Sequence, residues 1–587
     1  MTINHVLSVS FTLFFYFVLA VAFYGIGIAS VKAIGITKKD QIQSLSTFYI
    51  WLGFAISLFL FNLIHFFAPV NIFSVLPILI IGIASFFFSI KHQKDNIFTY
   101  INKIYFVFFA IILLIISVWI ASRSMLKTSI YDSNLYHYNY IRWINTFPIV
   151  PGLGNLHGRL AFNQSFFTYV AVLNLYPIFG QGRAIANSSI LVFAFLTFFE
   201  IFISTIKNTD NHYLSYQDKT TSLFLLPILI FFTLFSSGVD SPSPDLASSV
   251  IQLVIFLLFI SILHDSLVRN TNYPVKNLTF IILATTLVTI KLSNLIFSCT
   301  ALIIIIMIFL NQIHARYHIK YIYYPIVIVI AWFLNGVIIS GYPFYPSTLC
   351  HVKLSWSLPV ESVVDLENWV YSWARQPGTH WKNVLGNWNW LYPWMNNIIQ
   401  NYYFDVVIPL YMFVTIVLID VLLLTPILWF KKRKIFFIEW IIIFPLFAGL
   451  LFWFFTAPDP RFANAVFMLL PVSATLVLLF KIKQIANRQT AIYAAGMFFT
   501  LECFCLLFYV HKNQRVISNV SLDGWQKDEQ PQLVEKITKH GLRVYTPLQG
   551  KDQCFDAPLP CTPYFNENLS LRRAGDLASG FIIQEKK

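Results

Sequence analysis

Apolar runs of about 20 residues recur along this chain, broken by short polar connectors. A helix of that length crosses the roughly 30 Å of bilayer hydrocarbon, where every backbone N–H and C=O must be satisfied within the segment. Fourteen spans are expected: 6–30, 48–66, 73–90, 103–121, 185–206, 222–236, 246–264, 277–290, 293–310, 321–340, 404–428, 436–456, 462–480 and 490–510. Only 11% of the residues are charged, against about a quarter in an ordinary soluble domain. The chain reads as an all-α polytopic membrane protein.

A formal charge of +14 would suit a nucleic-acid binder, but the cations sit in short loops and no nucleic-acid partner is expected. Lys32, Lys38 and Lys39 fall on one side with Lys91, Lys94, Lys103, Lys207, Lys219, Arg269, Lys276, Arg316 and Lys320. The run Lys431–Lys434 and Lys481, Lys483 and Arg488 join them, whereas loops 67–72 and 237–245 carry none. The basic side is then cytoplasmic. The organisation is N-terminal transmembrane helices over 1–100, a core over 101–510 with outward loops 122–184 and 341–403, and an outward tail over 511–587. The first apolar run is too long and too poor in basic residues to be a cleavable signal. Segment 164–183 reads as an interfacial helix, because counting it as a span would reverse every later loop. Cys299, Cys503 and Cys505 lie in apolar runs, Cys350 in a polar loop, and Cys554 and Cys561 could pair in an oxidising compartment.

The apolar signal breaks abruptly at Tyr131–Ser165, YDSNLYHYNYIRWINTFPIVPGLGNLHGRLAFNQS. Charge and irregular backbone belong outside the hydrocarbon or around a wet cavity. If 132–147 is helical, Tyr136, Tyr140, Trp143 and Phe147 form one stripe at headgroup level, with Asp132 at its leading end. Asp132 there could act as general base, although a helix N-cap is the commoner use of such an Asp. His137 could contact a phosphate or face solvent. In PGLGN and beyond, two glycines let backbone approach a ligand, and His157 and Arg159 follow; Arg159 offers a planar fork for phosphate, with an ordinary interfacial turn as the alternative.

Lys291 stands between two apolar runs against the charge bias, so it calls for an anionic partner, either a lipid headgroup or an internal carboxylate. In APDPRF, Arg461 either clamps a phosphate or pairs with Asp459. Asp240 with SPSPD (241–245) reads as a rigid proline turn more than as a metal or sugar site. Arg375, His380 and Trp381, Trp388, Trp390 and Trp394 suit either carbohydrate stacking or packing on the membrane surface. Carboxylates inside spans are few and near their ends (Glu200, Asp420, Glu439, Glu502), which argues against a proton-coupled transporter.

A membrane helix leading into an outward loop with an early Asp on an amphipathic segment resembles the GT-C glycosyltransferases, such as the protein O-mannosyltransferases and the lipid A aminoarabinose transferases. Phe179-Gly180-Gln181-Gly182-Arg183 looks like that family's second loop element, TIKLS around Lys291 like its T-K element, and Asp459–Phe462 like its later Arg-aromatic turn. PGLGNLHGRLAFN, SPSPD, SGYPFYP, APDPRF and YTPLQG…PLPCTPYF are similar to an uncharacterised bacterial multispanning group placed beside these enzymes. That likeness covers residue 100 to the end. This chain departs in carrying four spans before the loop and a single acid rather than an acidic pair, so a divalent metal is left open.

The resemblance implies a GT-C-like bundle in the bacterial inner membrane, working at the outer face without a required cofactor. The donor would be a polyprenyl-phosphate sugar and the acceptor a glycan, lipid or protein. Asp132 would deprotonate the acceptor, and Lys291, Arg461 and Arg159, with His137 and His157, would contact the donor phosphate. Two other readings fit the sequence: a lipid-linked oligosaccharide flippase or other transporter, which predicts charge deep in spans, and an O-antigen-type polymerase or ligase relying on Arg375 and His380.

Overall fold

The computed structural model describes residues 2–36, 46–92, 103–206, 216–271, 273–311, 321–430, 438–463, 465–485, 488–514, 519–528, 530–548 and 551–584. Lys38, Lys39, Lys94, Lys207, Arg316, Lys320 and 431–434, on which much of the expected charge bias rests, lie outside the described residues.

Helices dominate, as the apolar runs require. In chain order they are α1 (Ile3–Ala33), α2 (Phe48–His65), α3 (Ile72–His92), α4 (Lys103–Ser124), α5 (Tyr138–Thr146), α6 (Phe166–Leu173) and α7 (Gly182–Ile206). There follow α8 (Tyr216–Phe235), α9 (Pro244–Leu267), α10 (Pro274–Ile290), α11 (Leu295–Asn311), α12 (Tyr323–Ser340), α13 (Val360–Arg375), α14 (Trp381–Val384) and α15 (Leu391–Asn401). The last are α16 (Ile408–Ile419), α17 (Thr425–Phe430), α18 (Ile438–Ile441), α19 (Phe444–Thr456), α20 (Val466–Ile485) and α21 (Arg488–Lys512). Among the described residues twelve stretches are long and apolar enough to cross a membrane, and α10 and α19 are shorter apolar helices. The protein is an all-α polytopic membrane protein. The stretch expected over 436–456 divides into the one-turn α18 and the thirteen-residue α19.

α9 is apolar around its whole circumference and buried, packed against α7, α8 and α10, as expected of a central helix. α1, α2 and α3 touch backbone to backbone: a Cβ at Gly53 would stand 1.7 Å from the Phe23 carbonyl oxygen. α9 and α10 run antiparallel, so each carries one residue of an ion pair at either end. Asp245 and Lys291 meet at one end at 2.7 Å. At the other, Lys276 lies 2.8 Å from Asp265 and 3.5 Å from Asp218. A 17-residue helix separates the two ends by roughly 25 Å.

Two expectations change. Segment 164–183 contains only the eight-residue α6, too short to span, and its residues are buried against α2, α5 and α7 rather than laid on a surface. The stripe Tyr136, Tyr140 and Trp143 is also buried within the protein rather than displayed to headgroups: Tyr140 meets Phe167 edge-on and Trp143 meets Phe147 and Phe581. The reason is long-range, since α6 covers one side of that segment and the tail the other.

The tail forms two small antiparallel pairs, β1 (Leu533–Ile537) with β2 (Arg543–Pro547) and β3 (Leu569–Leu571) with β4 (Phe581–Ile583). A Cys554–Cys561 disulfide is present. The tail docks on the segment that follows α4: Gln526 N–H donates to the Met125 carbonyl at 2.8 Å and Phe581 N–H to the Pro151 carbonyl at 3.0 Å.

Candidate functional site

Five separate breaks in helix deliver the charged groups. Asp132 precedes a π-turn, Ser133–His137, in which Tyr138 N–H reaches back to the Ser133 carbonyl; such turns often mark functional positions. Arg159 rides a 3-10 turn, Gly158–Ala161. α9 starts sharply because Pro244 occupies its first turn and Ser243 accepts from Asp245 N–H, which fixes Asp245 at the helix mouth. α10 stops because Lys291 turns extended, with Asn294 Nδ2 donating to the Lys291 carbonyl at 3.2 Å. Asp459 caps its own turn by accepting from Arg461 N–H at 2.9 Å, while Trp453 and Trp394 donate to the Asp459 and Pro458 carbonyls, each at 2.7 Å.

These pieces close into a circuit. Asp132 Oδ1 lies 3.2 Å from Arg159 and its Oδ2 3.6 Å from Arg461. Arg461 also pairs with Asp459 at 3.1 Å. Lys291 pairs with Asp245, donates to the Arg461 carbonyl at 3.0 Å and sits 4.9 Å from the centre of the Phe462 ring. Ser133 and Ser241 hydroxyls, 2.7 Å apart, tie the Asp132 segment to the proline loop before α9. Three carboxylates thus face three cations around one spot. The central ones remain accessible: the Asp132 side chain is 30% exposed and Arg461 40%, against 7% for Lys291.

Asp132 is not a helix cap; its carboxylate makes no capping bond and goes to the two guanidiniums instead. Burial disfavours the Arg461 cation, but Asp459, Asp245 and Asp132 outweigh it and raise its pKa above the ordinary arginine value. His137 and His157 are corrected in character. Both are buried, and burial lowers them to about 4 and about 3, so they are neutral wall residues near neutral pH rather than phosphate-binding cations. His137 packs at a tilt against Phe167 and His157 meets Tyr136 and Tyr564.

Other candidates have structural duties. Gly152 does admit backbone closely, but the visitors are the Phe581 and Trp356 carbonyls, 2.3 and 2.9 Å from where a Cβ would stand. Arg183 bonds the Leu126, Asp240 and Gln526 carbonyls and pairs with Asp528 at 3.4 Å, holding the tail down. Burial raises Asp240 to about 7, with Arg183 and Arg123 opposing. Arg375 donates to the Thr456 and Phe455 carbonyls at the end of α19 and lies over Trp390, so it braces the Asp459–Arg461 turn. His380 caps its own helix, and Trp388, Trp390 and Trp394 pack around Phe454. Among the described residues no group of three or more His, Cys, Asp or Glu is clustered as if to hold a metal.

A family described only as a domain of unknown function, DUF8201, matches residues 10–469. The chain belongs to the DUF8201 family. Neither curated proteins nor solved structures give a match. The DUF8201 region contains every member of the charged circuit, from Asp132 to Arg461, and excludes the tail that docks beside it.

The residue missed in the sequence is Asp245. Its signal was present, since Lys291 needed a counter-charge and SPSPD supplied an acid next to a span. The serine–proline loop drew attention to rigidity instead.

Proposed function

We propose that the protein is a membrane glycosyltransferase that moves a sugar from a polyprenyl-phosphate donor to an acceptor, and that its GT-C resemblance reflects this chemistry. The observation that carries the reading is the meeting of Asp132 with Arg159 and Arg461, and of Lys291 with the Arg461 turn, at one end of the bundle. Lys291 and Arg461 come from parts of the chain far from Asp132 and Arg159, and 170 residues from each other. A partly exposed carboxylate beside accessible guanidiniums supplies both halves of the reaction: a proton acceptor and a cradle for a leaving phosphate.

In this mechanism the donor phosphate takes Arg461, which is already shared between Asp132 and Asp459, while Arg159 holds Asp132. The acceptor O–H gives its proton to Asp132, its oxygen forms the bond to the anomeric carbon, and the sugar–phosphate C–O bond breaks. The electron pair leaves with polyprenyl phosphate, and the anomeric centre inverts in one displacement. A positioned base contributes roughly 10²–10⁴-fold, the rest coming from orientation and charge stabilisation. The bilayer supplies both donor and surroundings, and the reading places the site at the outer face of the bacterial inner membrane.

One observation favours a second reading, a lipid-linked-sugar transporter. Buried ion pairs, Lys276 with Asp218 and Asp265, and Lys481 with Asp420 at 2.6 Å, stand within apolar helices at the far end. Each already has its counter-charge, as structural pairs do. Purified protein incubated with polyprenyl-phosphate mannose, glucose and aminoarabinose, together with a cell-envelope extract supplying glycan, lipid and protein acceptors, separates the two. The transferase releases polyprenyl phosphate from at least one donor, and Arg461→Ala lowers that release at least about a hundredfold. Translocation with no release from any donor would leave only the transporter.

A further inference from the structure

The charged floor of the site is built within the DUF8201 region, but its rim is completed by the tail. Tyr131, next to Asp132, is half exposed and its phenol donates to Asp552. Gln553 Nε2 donates to the Tyr131 carbonyl at 3.1 Å, and Phe555 N–H to the Asn134 carbonyl at 2.7 Å. Tyr564 is also half exposed, and its ring meets the buried His157 with centroids 5.2 Å apart. Asp552, Tyr564 and Arg159 all stand within electrostatic reach of the Tyr131 phenol. Arg159 in turn touches Asp132, so this rim borders the groups assigned to the reaction.

The rim is held in place. Cys554 and Cys561 are bonded and buried with Ala557, and Arg142 donates to the Asp556 carbonyl at 2.9 Å. Two accessible aromatic rings beside a carboxylate and an amide suit one ligand chemistry in particular. The C–H face of a pyranose lies on an aromatic ring, and its hydroxyls pair with carboxylate, amide and guanidinium. A peptide or a lipid tail would have less use for such a mixed rim.

We infer that Tyr131, Asp552 and Tyr564 form an acceptor subsite for a carbohydrate, presenting one of its hydroxyls to Asp132. The inference rests on the transferase reading for its purpose, while binding itself does not need turnover. It also gives the tail a role: an element outside the family-matched region would choose the acceptor for a site built within it.

Saturation-transfer NMR on the full-length protein in detergent micelles tests this, with maltotetraose, chitotetraose and mannotetraose as probes and a soluble Ser/Asn-rich peptide as comparator. At least one tetrasaccharide should receive saturation from wild type. Tyr564→Ala and Asp552→Ala should weaken it about tenfold or more, whereas Tyr564→Phe, which keeps the ring, should bind nearly as wild type. Saturation of none of the three sugars, of the peptide alone, or of Tyr564→Ala as strongly as wild type overturns the subsite. The two ideas fail separately. Sugar binding without any release of polyprenyl phosphate contradicts the transferase and leaves a sugar site. Release and transfer indifferent to Tyr564→Ala contradict the subsite alone.

Discussion

Replacing Lys291 with Met removes the cation from one pair while keeping much of the side chain's length. Lys291 is 7% exposed, 2.7 Å from Asp245, and donates at 3.0 Å to the Arg461 carbonyl. Breaking a buried pair from one side costs about 3–5 kcal/mol, mainly because the abandoned charge remains. Asp245 retains 26% side-chain exposure and can be partly rehydrated, so Lys291→Met belongs near 3 kcal/mol. Asp245→Asn abandons the more deeply buried partner and belongs near 5 kcal/mol. The double variant leaves no orphan charge, so its loss should fall about 2–3 kcal/mol short of the sum of the two. SDS titration of the protein in dodecyl maltoside, followed by tryptophan fluorescence, reads the cycle. On the transferase reading, donor binding should not return in the double variant even as stability does, since the cation that holds the Arg461 turn is gone. Additivity within about 0.5 kcal/mol would refute the coupling.

Three further outcomes follow from the geometry. Burial holds His137 at about 4 and His157 at about 3, below the ordinary value near 6.5. The unfolded chain therefore takes up protons first on acidification, and stability should fall as pH drops from about 6.5 towards 4. His137→Phe should flatten the profile of Tm against pH over that range, and parallel profiles would count against it. Gly152→Ala puts a Cβ 2.3 Å from the Phe581 carbonyl at a φ of 64°, so it should cost about 1–3 kcal/mol and loosen the tail, seen as faster proteolysis after residue 511. Unchanged proteolysis would mean the tail does not depend on that contact. Arg375→Ala frees two carbonyls at the end of α19 and should reduce transfer several-fold through the Asp459–Arg461 turn. Complete loss with the turn intact would instead favour the polymerase or ligase reading.

The membrane fold was legible because apolar runs leave a bilayer-spanning backbone so few options. Asp132, Arg159, Lys291 and Arg461 were legible for the converse reason, as charge standing where apolar sequence surrounds it. Contacts between distant segments were not. The aromatic stripe on Tyr136, Tyr140 and Trp143 suits the headgroup level by its spacing, but α6 and the tail cover it. His137 and His157 look like available cations for the same reason, since nothing local reports their burial. The tail reads in the sequence only as an outward extension, yet its Asp528 and Asp552 reach Arg183 and Tyr131 across more than three hundred residues of chain. Asp245 lay hidden by its own neighbours, because SPSPD announces a turn more loudly than it announces a counter-charge.

The central claim is that Asp132 receives a proton during sugar transfer while the surrounding cations hold the donor. Asp132→Asn keeps the shape of the side chain and removes its basicity, so folding and polyprenyl-phosphate sugar binding should stay within about twofold of wild type. The transfer rate, measured as release of polyprenyl phosphate by purified protein with a saturating donor and a cell-envelope extract supplying acceptors, should fall about 10²–10⁴-fold. Release at the wild-type rate by a folded, donor-binding Asp132→Asn protein would contradict the account.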